Sequence, residues 1–140
     1  MNFSGSILLV DDEAHIRKFI SLLLRHLGVT KILEAPNGSV ALEVFKKERP
    51  DLVMLDVNMP VMDGIETLRA LKAIDPDCVV VMLTSLANRQ TIDQAAALGA
   101  ANYIRKDAPP EEIGRALSET IEACFESDDS EEPGAEAPTG

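Results

Sequence analysis

Four apolar runs in this chain each stop on a residue suited to phosphate chemistry. ILLV at 7–10 ends at Asp11 and Asp12, LVML at 52–55 ends at Asp56, VVVML at 79–83 ends at Thr84, and ANYIR at 101–105 ends at Lys106. Three carboxylates crowded together repel, and they stay ionised only beside a cation. Hard oxygen ligands of this kind select Mg²⁺, which takes one or two carboxylates together with phosphate oxygens and water. A hydroxyl and an ammonium add a donor and a point charge for phosphoryl oxygens, whose transfer is catalysed mainly by positioning and charge neutralisation. Taken singly, each residue has an ordinary role: Asp11 and Asp12 as helix caps, Asp56 in a turn, Thr84 at a strand end, Lys106 in solvent. The set becomes informative only if the fold brings its members together.

The pattern between them supplies that fold. Strand-like runs at 7–10, 31–35, 52–55, 78–83 and 102–105 alternate with helical patterns at 14–27, 39–48, 65–74, 88–98 and 111–125. The first helix places Ile16, Ile20, Leu23 and Leu27 on one stripe, and the last places Ile113, Leu117, Ile121 and Cys124. Gly28 and Gly99 are expected to end helices, Asn37-Gly38 and Asp63-Gly64 to form turns, and Pro109-Pro110 with Glu111 and Glu112 to open the last helix. Continuous apolar strands alternating with amphipathic helices imply an α/β, doubly wound, flavodoxin-like (βα)5 unit with a five-stranded parallel sheet. Five strands suit the order 2-1-3-4-5, which sets the first strand beside the third and opens all the strand carboxyl ends on one edge. Asp11, Asp12, Asp56, Thr84 and Lys106 would then converge.

Composition bounds the alternatives. The 140 residues carry 24 acidic and 13 basic side chains, a net charge of −11, and 46% hydrophobic residues with only 4% aromatic. This predicts one domain with an aliphatic core, and its charge argues against nucleic acid as a direct partner. Residues 126–140 hold six acidic and no basic groups, which leaves −5 for 1–125. The expected organisation is a folded domain over 1–125 and a disordered acidic tail over 126–140. Cys78 and Cys124 are expected to be buried, reduced thiols. No secretory signal pattern and no apolar run long enough to span a bilayer is present, so a cytoplasmic protein without membrane insertion is expected.

The motifs LLVDDE at 8–13, MLDVNMPVMDG at 54–64, MLTS at 82–85 and YIRKD at 103–107 together resemble the receiver domain of two-component response regulators, of the chemotaxis type. The resemblance spans about residues 5–125. It implies that Asp56 accepts a phosphoryl group from a histidine kinase or histidine phosphotransfer protein. It further implies that Asp11, Asp12, Asp56 and the main-chain carbonyl of Asn58 bind Mg²⁺, and that Lys106 binds the phosphoryl group. Thr84 and Tyr103 would be the switch pair, altering an α4-β5-α5 face that meets a downstream target. Beyond accepting its own phosphoryl group and losing it slowly, such a protein is not an enzyme. Leu86, two residues past Thr84, is apolar where hydrolytic water should approach, and a slow loss is expected from it.

The chain departs from the family pattern in two places. Asp107 follows Lys106 where proline with a cis bond is usual, and a cis bond there would cost about 3 kcal/mol. A trans path would shift Lys106, and Asp107 could pair with Lys106 when no phosphate is present. Only the acidic tail follows the last helix, which suggests a stand-alone receiver, or else a receiver cut from a larger regulator. A Mg²⁺-dependent phosphohydrolase would want an acid two residues after the nucleophile, where Asn58 stands. A flavin-binding electron carrier would want a Ser/Thr/Gly-rich loop where DDEAHIR stands. Of the remaining polar residues, Glu13 is expected to cap the first helix or line the pocket rim, Asp63 to cap the third, and Arg17, Lys18 and Arg25 to be solvated. His15 lies near the pocket mouth, and it and His26 read as surface or packing residues.

Overall fold

A computed structural model describes residues 3–85 and 88–126. Five strands alternate with five helices: β1 (Ser6–Val10), α1 (Ala14–His26), β2 (Lys31–Ala35), α2 (Gly38–Glu48), β3 (Leu52–Asp56), α3 (Gly64–Ile74), β4 (Val79–Thr84), α4 (Arg89–Ala97), β5 (Asn102–Arg105) and α5 (Pro110–Ile121). All strand pairs are parallel, in the order β2-β1-β3-β4-β5. The doubly wound architecture and strand order are those expected from the sequence.

Alternation along the strands sorts the core into two layers. Leu8, Val10, Val53, Leu55, Val80 and Met82 face Phe45, Leu68, Leu71 and Ala95, on the side of α2, α3 and α4. Ile7, Leu9, Leu52, Met54, Val81 and Leu83 face Ile20, Leu24, Ile113, Leu117 and Ile121, on the side of α1 and α5. Most of these side chains are fully buried, and each large aliphatic one contributes about 1.5–3 kcal/mol.

Local chemistry sets the helix ends. Gly28 and Gly99 adopt φ of 101° and 93° just past α1 and α4. Asp63 closes a reciprocal cap with Glu66 at the start of α3, and Pro110 opens α5 with Glu111 and Glu112 in its first turn. Asn37-Gly38 is a helix start rather than a free turn, because the Asn37 side chain accepts from the Val40 amide at 2.8 Å and caps α2.

Other expectations need correction. The last helix ends at Ile121 and widens into a π turn over Glu122–Glu126, which carries Phe125 against Phe3 with ring centroids 5.3 Å apart. Cys78 is buried, but Cys124 is only half-buried. Of the expected tail, all but Glu126 lies outside the described residues. Among the described residues, no helix is long and apolar enough to cross a membrane.

Candidate functional site

The carboxyl ends of β1, β3, β4 and β5 open on one edge, and ladder hydrogen bonds carry the site residues there. The Asp11 amide donates to the Ala35 carbonyl at 3.2 Å, the Val57 amide to Leu83 at 2.9 Å, and the Lys106 amide to Thr84 at 2.7 Å. Period-two alternation then decides which side chains meet. Asp11 follows Ile7 and Leu9, Asp56 follows Leu52 and Met54, and Lys106 follows Ile104, so all three share the parity of the α1/α5 layer. Thr84 follows Val80 and Met82, and Tyr103 also packs on that opposite layer.

The first three side chains do meet. Lys106 Nζ lies 2.9 Å from Asp11 Oδ2 and 3.4 Å from Asp56 Oδ2. A third carboxylate, Glu13, places Oε1 3.0 Å from the same ammonium. Asp11 is fully buried and Asp56 nearly so, whereas Asp12 is exposed. Asp11 Oδ1 accepts from the Glu13 amide at 2.9 Å, and Asp56 Oδ1 from the Asn58 amide at 3.3 Å. The second oxygen of each is buried without a hydrogen-bond partner and faces the ammonium.

Charge is unbalanced here. Burial and then the neighbouring Asp11 carboxylate push the Asp56 carboxyl up to about 7, against the downward pull of Lys106 and the Asn58 amide. Burial disfavours the Lys106 ammonium, yet the surrounding carboxylates outweigh it and hold its proton above the ordinary lysine range. Lys106 in turn keeps Glu13 below the ordinary carboxylate range, chiefly through their hydrogen bond. Asp11, Asp12 and Asp56 each offer an oxygen, and these lie within 4.8 Å of one another. An all-oxygen donor set with two buried, under-satisfied carboxylate oxygens and surplus negative charge fits a hard divalent cation.

The loop after β3 is built tightly. A Cβ on Gly64 would collide with the Asp56 carbonyl oxygen and the Val57 Cα, so only glycine lets α3 start this close to the end of β3. The Gly64 amide closes the loop by donating to the Val57 carbonyl at 2.8 Å. Val61, fully exposed at the loop tip, has φ of 71°, a strained setting for a β-branched residue.

Thr84 is fully buried. Tyr103 pairs with Met82 across the β4–β5 ladder, one side-chain layer back from Thr84. Its ring is half-buried, its hydroxyl is buried without a partner, and it stands between two clefts. One, of about 160 Å³, is walled by Ile92 and Ala96 of α4; the other, of about 240 Å³, by Glu112 and Ala116 of α5.

Two expectations about charged residues change, and for Glu13 the pocket rim rather than the helix cap is found. Asp107 does not pair with Lys106. It forms a two-pronged ion pair with Arg105, at 2.9 and 2.8 Å, and the Lys106–Asp107 peptide is trans. Arg17 is not solvated: it donates to the Asp11 carbonyl at 2.5 Å and to Glu34 at 3.1 Å, tying the loop after β1 to the end of β2. Glu13 occupies the N-cap position of α1 but its side chain makes no cap hydrogen bond, being engaged by Lys106. Its partner lies 93 residues away, so spacing could not reveal it. Leu86 lies outside the described residues.

Comparison with known proteins follows the same lines. Residues 7–118 match the family described as the response regulator receiver domain. The chain is 35% identical over 115 residues to the chemotaxis protein CheY of Bacillus subtilis, covering 82% of this chain and 96% of that one. It is 37% identical to sporulation initiation phosphotransferase F of the same organism, covering 82% and 92%. Among solved structures, Vibrio cholerae chemotaxis protein CheY4 is similar with a TM-score of 0.78 and 30% identity, over 84% of this chain and 99% of that one.

Proposed function

The chain belongs to the response regulator receiver family of two-component signalling, and from that premise we propose that Asp56 is its phosphoacceptor. A phosphohistidine on a histidine kinase or phosphotransfer protein is the donor. One carboxylate oxygen of Asp56 forms the O–P bond as the P–N bond breaks, and the imidazole nitrogen leaves with the electron pair and takes up a proton. The single observation that carries this reading is the Asp56 Oδ2 atom, buried, without a hydrogen-bond partner and facing Lys106 at 3.4 Å.

The residues around it have complementary tasks. Lys106 neutralises phosphoryl oxygens as they arrive, and its backbone is held at the end of β5 by its amide bond to Thr84. The Asn58 amide fixes the rotamer of Asp56 through the other oxygen. Mg²⁺ held by Asp11, Asp12, Asp56 and the Asn58 carbonyl would offset the carboxylates and the phosphoryl charge. Thr84 donates its hydroxyl to a phosphoryl oxygen, and the space it vacates couples to Tyr103 in the same side-chain layer. That rearrangement changes the α4-β5-α5 surface, around the two clefts beside Tyr103, and so the affinity for a target protein. In this reading residues 1–125 form the receiver unit in the cytoplasm, 126–140 are an acidic tail, and the chain catalyses nothing beyond its own phosphorylation and dephosphorylation.

Intact-mass analysis after incubation with Mg²⁺ and acetyl phosphate tests the proposal. The wild type should gain one phosphoryl group that hydroxylamine removes, and Asp56→Asn should gain none. A wild type that stays unmodified, with a small donor and with a panel of kinases, removes the assignment of Asp56.

A further inference from the structure

A lysine ammonium carries three donors, and Lys106 already has three carboxylates around it: Asp11, Glu13 and Asp56. Of the three, only Glu13 accepts a hydrogen bond from it, at 3.0 Å, while Asp11 Oδ2 and Asp56 Oδ2 face it as ion pairs. Asp56 is the group being phosphorylated, and Asp11 is fully buried behind the ammonium. Glu13 differs from both, with 48% of its side chain exposed. Water can solvate a released Glu13 carboxylate, and an exposed ion pair is weakly held. Its side chain makes no cap bond to α1, and its other influence is the nearby charge of His15.

On the reading that Asp56 is the phosphoacceptor, we propose that Glu13 is a positioning residue that restrains phosphorylation. It holds Lys106 in the phosphate-free protein and competes with a phosphoryl oxygen for the ammonium. Its charge acts in the same direction. Glu13 adds a fourth carboxylate to the three that already line the mouth, and an anionic donor approaches against all four. Exchange of Glu13 for a phosphoryl oxygen on Lys106 changes no covalent bond. It frees the last residue of the loop that opens α1, its N-cap position, so phosphorylation is communicated to the start of that helix as well as to Thr84.

The test compares labelling rates of wild type, Glu13→Gln and Glu13→Ala with sub-saturating acetyl phosphate and saturating Mg²⁺, read by intact mass at low and high ionic strength. Glutamine keeps an oxygen that can accept from Lys106 and loses only the charge, whereas alanine loses both. Both variants should label about 3- to 10-fold faster than wild type at low salt. The gap should narrow at high salt, a dependence that loosened packing alone would not produce. Variants that label at the wild-type rate or more slowly at both salt concentrations, while the wild type is labelled normally, overturn the role of Glu13 and leave Asp56 untouched. A wild type that is not labelled removes both.

Discussion

Asp51 stands just before β3 and Asp56 closes it, so one strand carries the same side chain at each end. Asp51 is exposed, and its carboxylate accepts from the Ser6 amide at 2.8 Å while its own amide donates to the Ser6 carbonyl at 3.0 Å. It is tied to the Ser6 backbone and open to solvent. Asp56 is buried against a second buried carboxylate, with one oxygen left without a hydrogen-bond partner and its carboxyl pushed up to about 7. The amino end of the sheet fastens β1 to β3. The carboxyl end holds charge that the protein alone does not balance, which is the condition for taking up a cation and a phosphoryl group. Location on the strand, not residue type, separates an anchor from a reactive group.

The contrast can be broken most sharply by removing the shared counter-charge. Lys106→Ala leaves Asp11 and Asp56 buried without an ammonium and should cost about 3 kcal/mol in urea unfolding at pH 7.5 in EDTA. The penalty should shrink at pH 5, where Asp56 takes up a proton. An unchanged unfolding midpoint would show that the ion pairs carry no net energy.

Asparagine at each end of β3 should act with opposite sign. In EDTA at pH 7.5, Asp56→Asn removes a buried charge and should stabilise the fold by about 1–3 kcal/mol. Asp51→Asn loses a charge-assisted bond and should cost about 0.5–1 kcal/mol. The Asp56 effect is pH-dependent. Its carboxyl is at about 7 in the fold against 3.8 as the ordinary value, so the proton's stabilising contribution is full below pH 4 and is lost as pH rises through 7. Wild type and Asp56→Asn should therefore converge in stability at low pH and separate at neutral pH. Convergence at pH 8 instead would reverse the assignment of strain to this carboxylate.

An effect of the same modest size concerns the loop at the same end. Val61 has φ of 71°, and Val61→Asn should raise stability by about 1 kcal/mol, because asparagine tolerates that region and a β-branched residue does not. A loss of stability would mean that the exposed valine makes contacts worth more than its backbone strain.

The fold was legible because its signals are local. Apolar runs of strand length, helical stripes, Asp63 before α3 and Pro110 at the start of α5 each act within a few residues. The convergence of Asp11, Asp56 and Lys106 was legible one step further, since parallel strands share an edge. Counting parity along β1, β3 and β5 would also have put these three on one face, with Thr84 and Tyr103 on the other. What stayed hidden depended on competition between long side chains. Lys106 could have taken Asp107 next to it, yet Glu13, 93 residues away, reaches the ammonium and Arg105 takes Asp107 through a fork that a lysine cannot offer. Arg17 was hidden for the same reason, because its partners are a carbonyl of the β1 loop and Glu34 of β2, two segments that meet only in the fold.

The contact between Phe3 and Phe125 has a practical corollary. Phe3 precedes β1 and lies near Gly5 and Asp51, at the end of the sheet away from the carboxylates. Because Phe125 touches it, chain added beyond either aromatic starts from the same place. A fluorophore, a surface tether or a fused protein attached there would leave the acidic mouth unobstructed. The domain can thus be handled from behind while donors and ions are offered to its front.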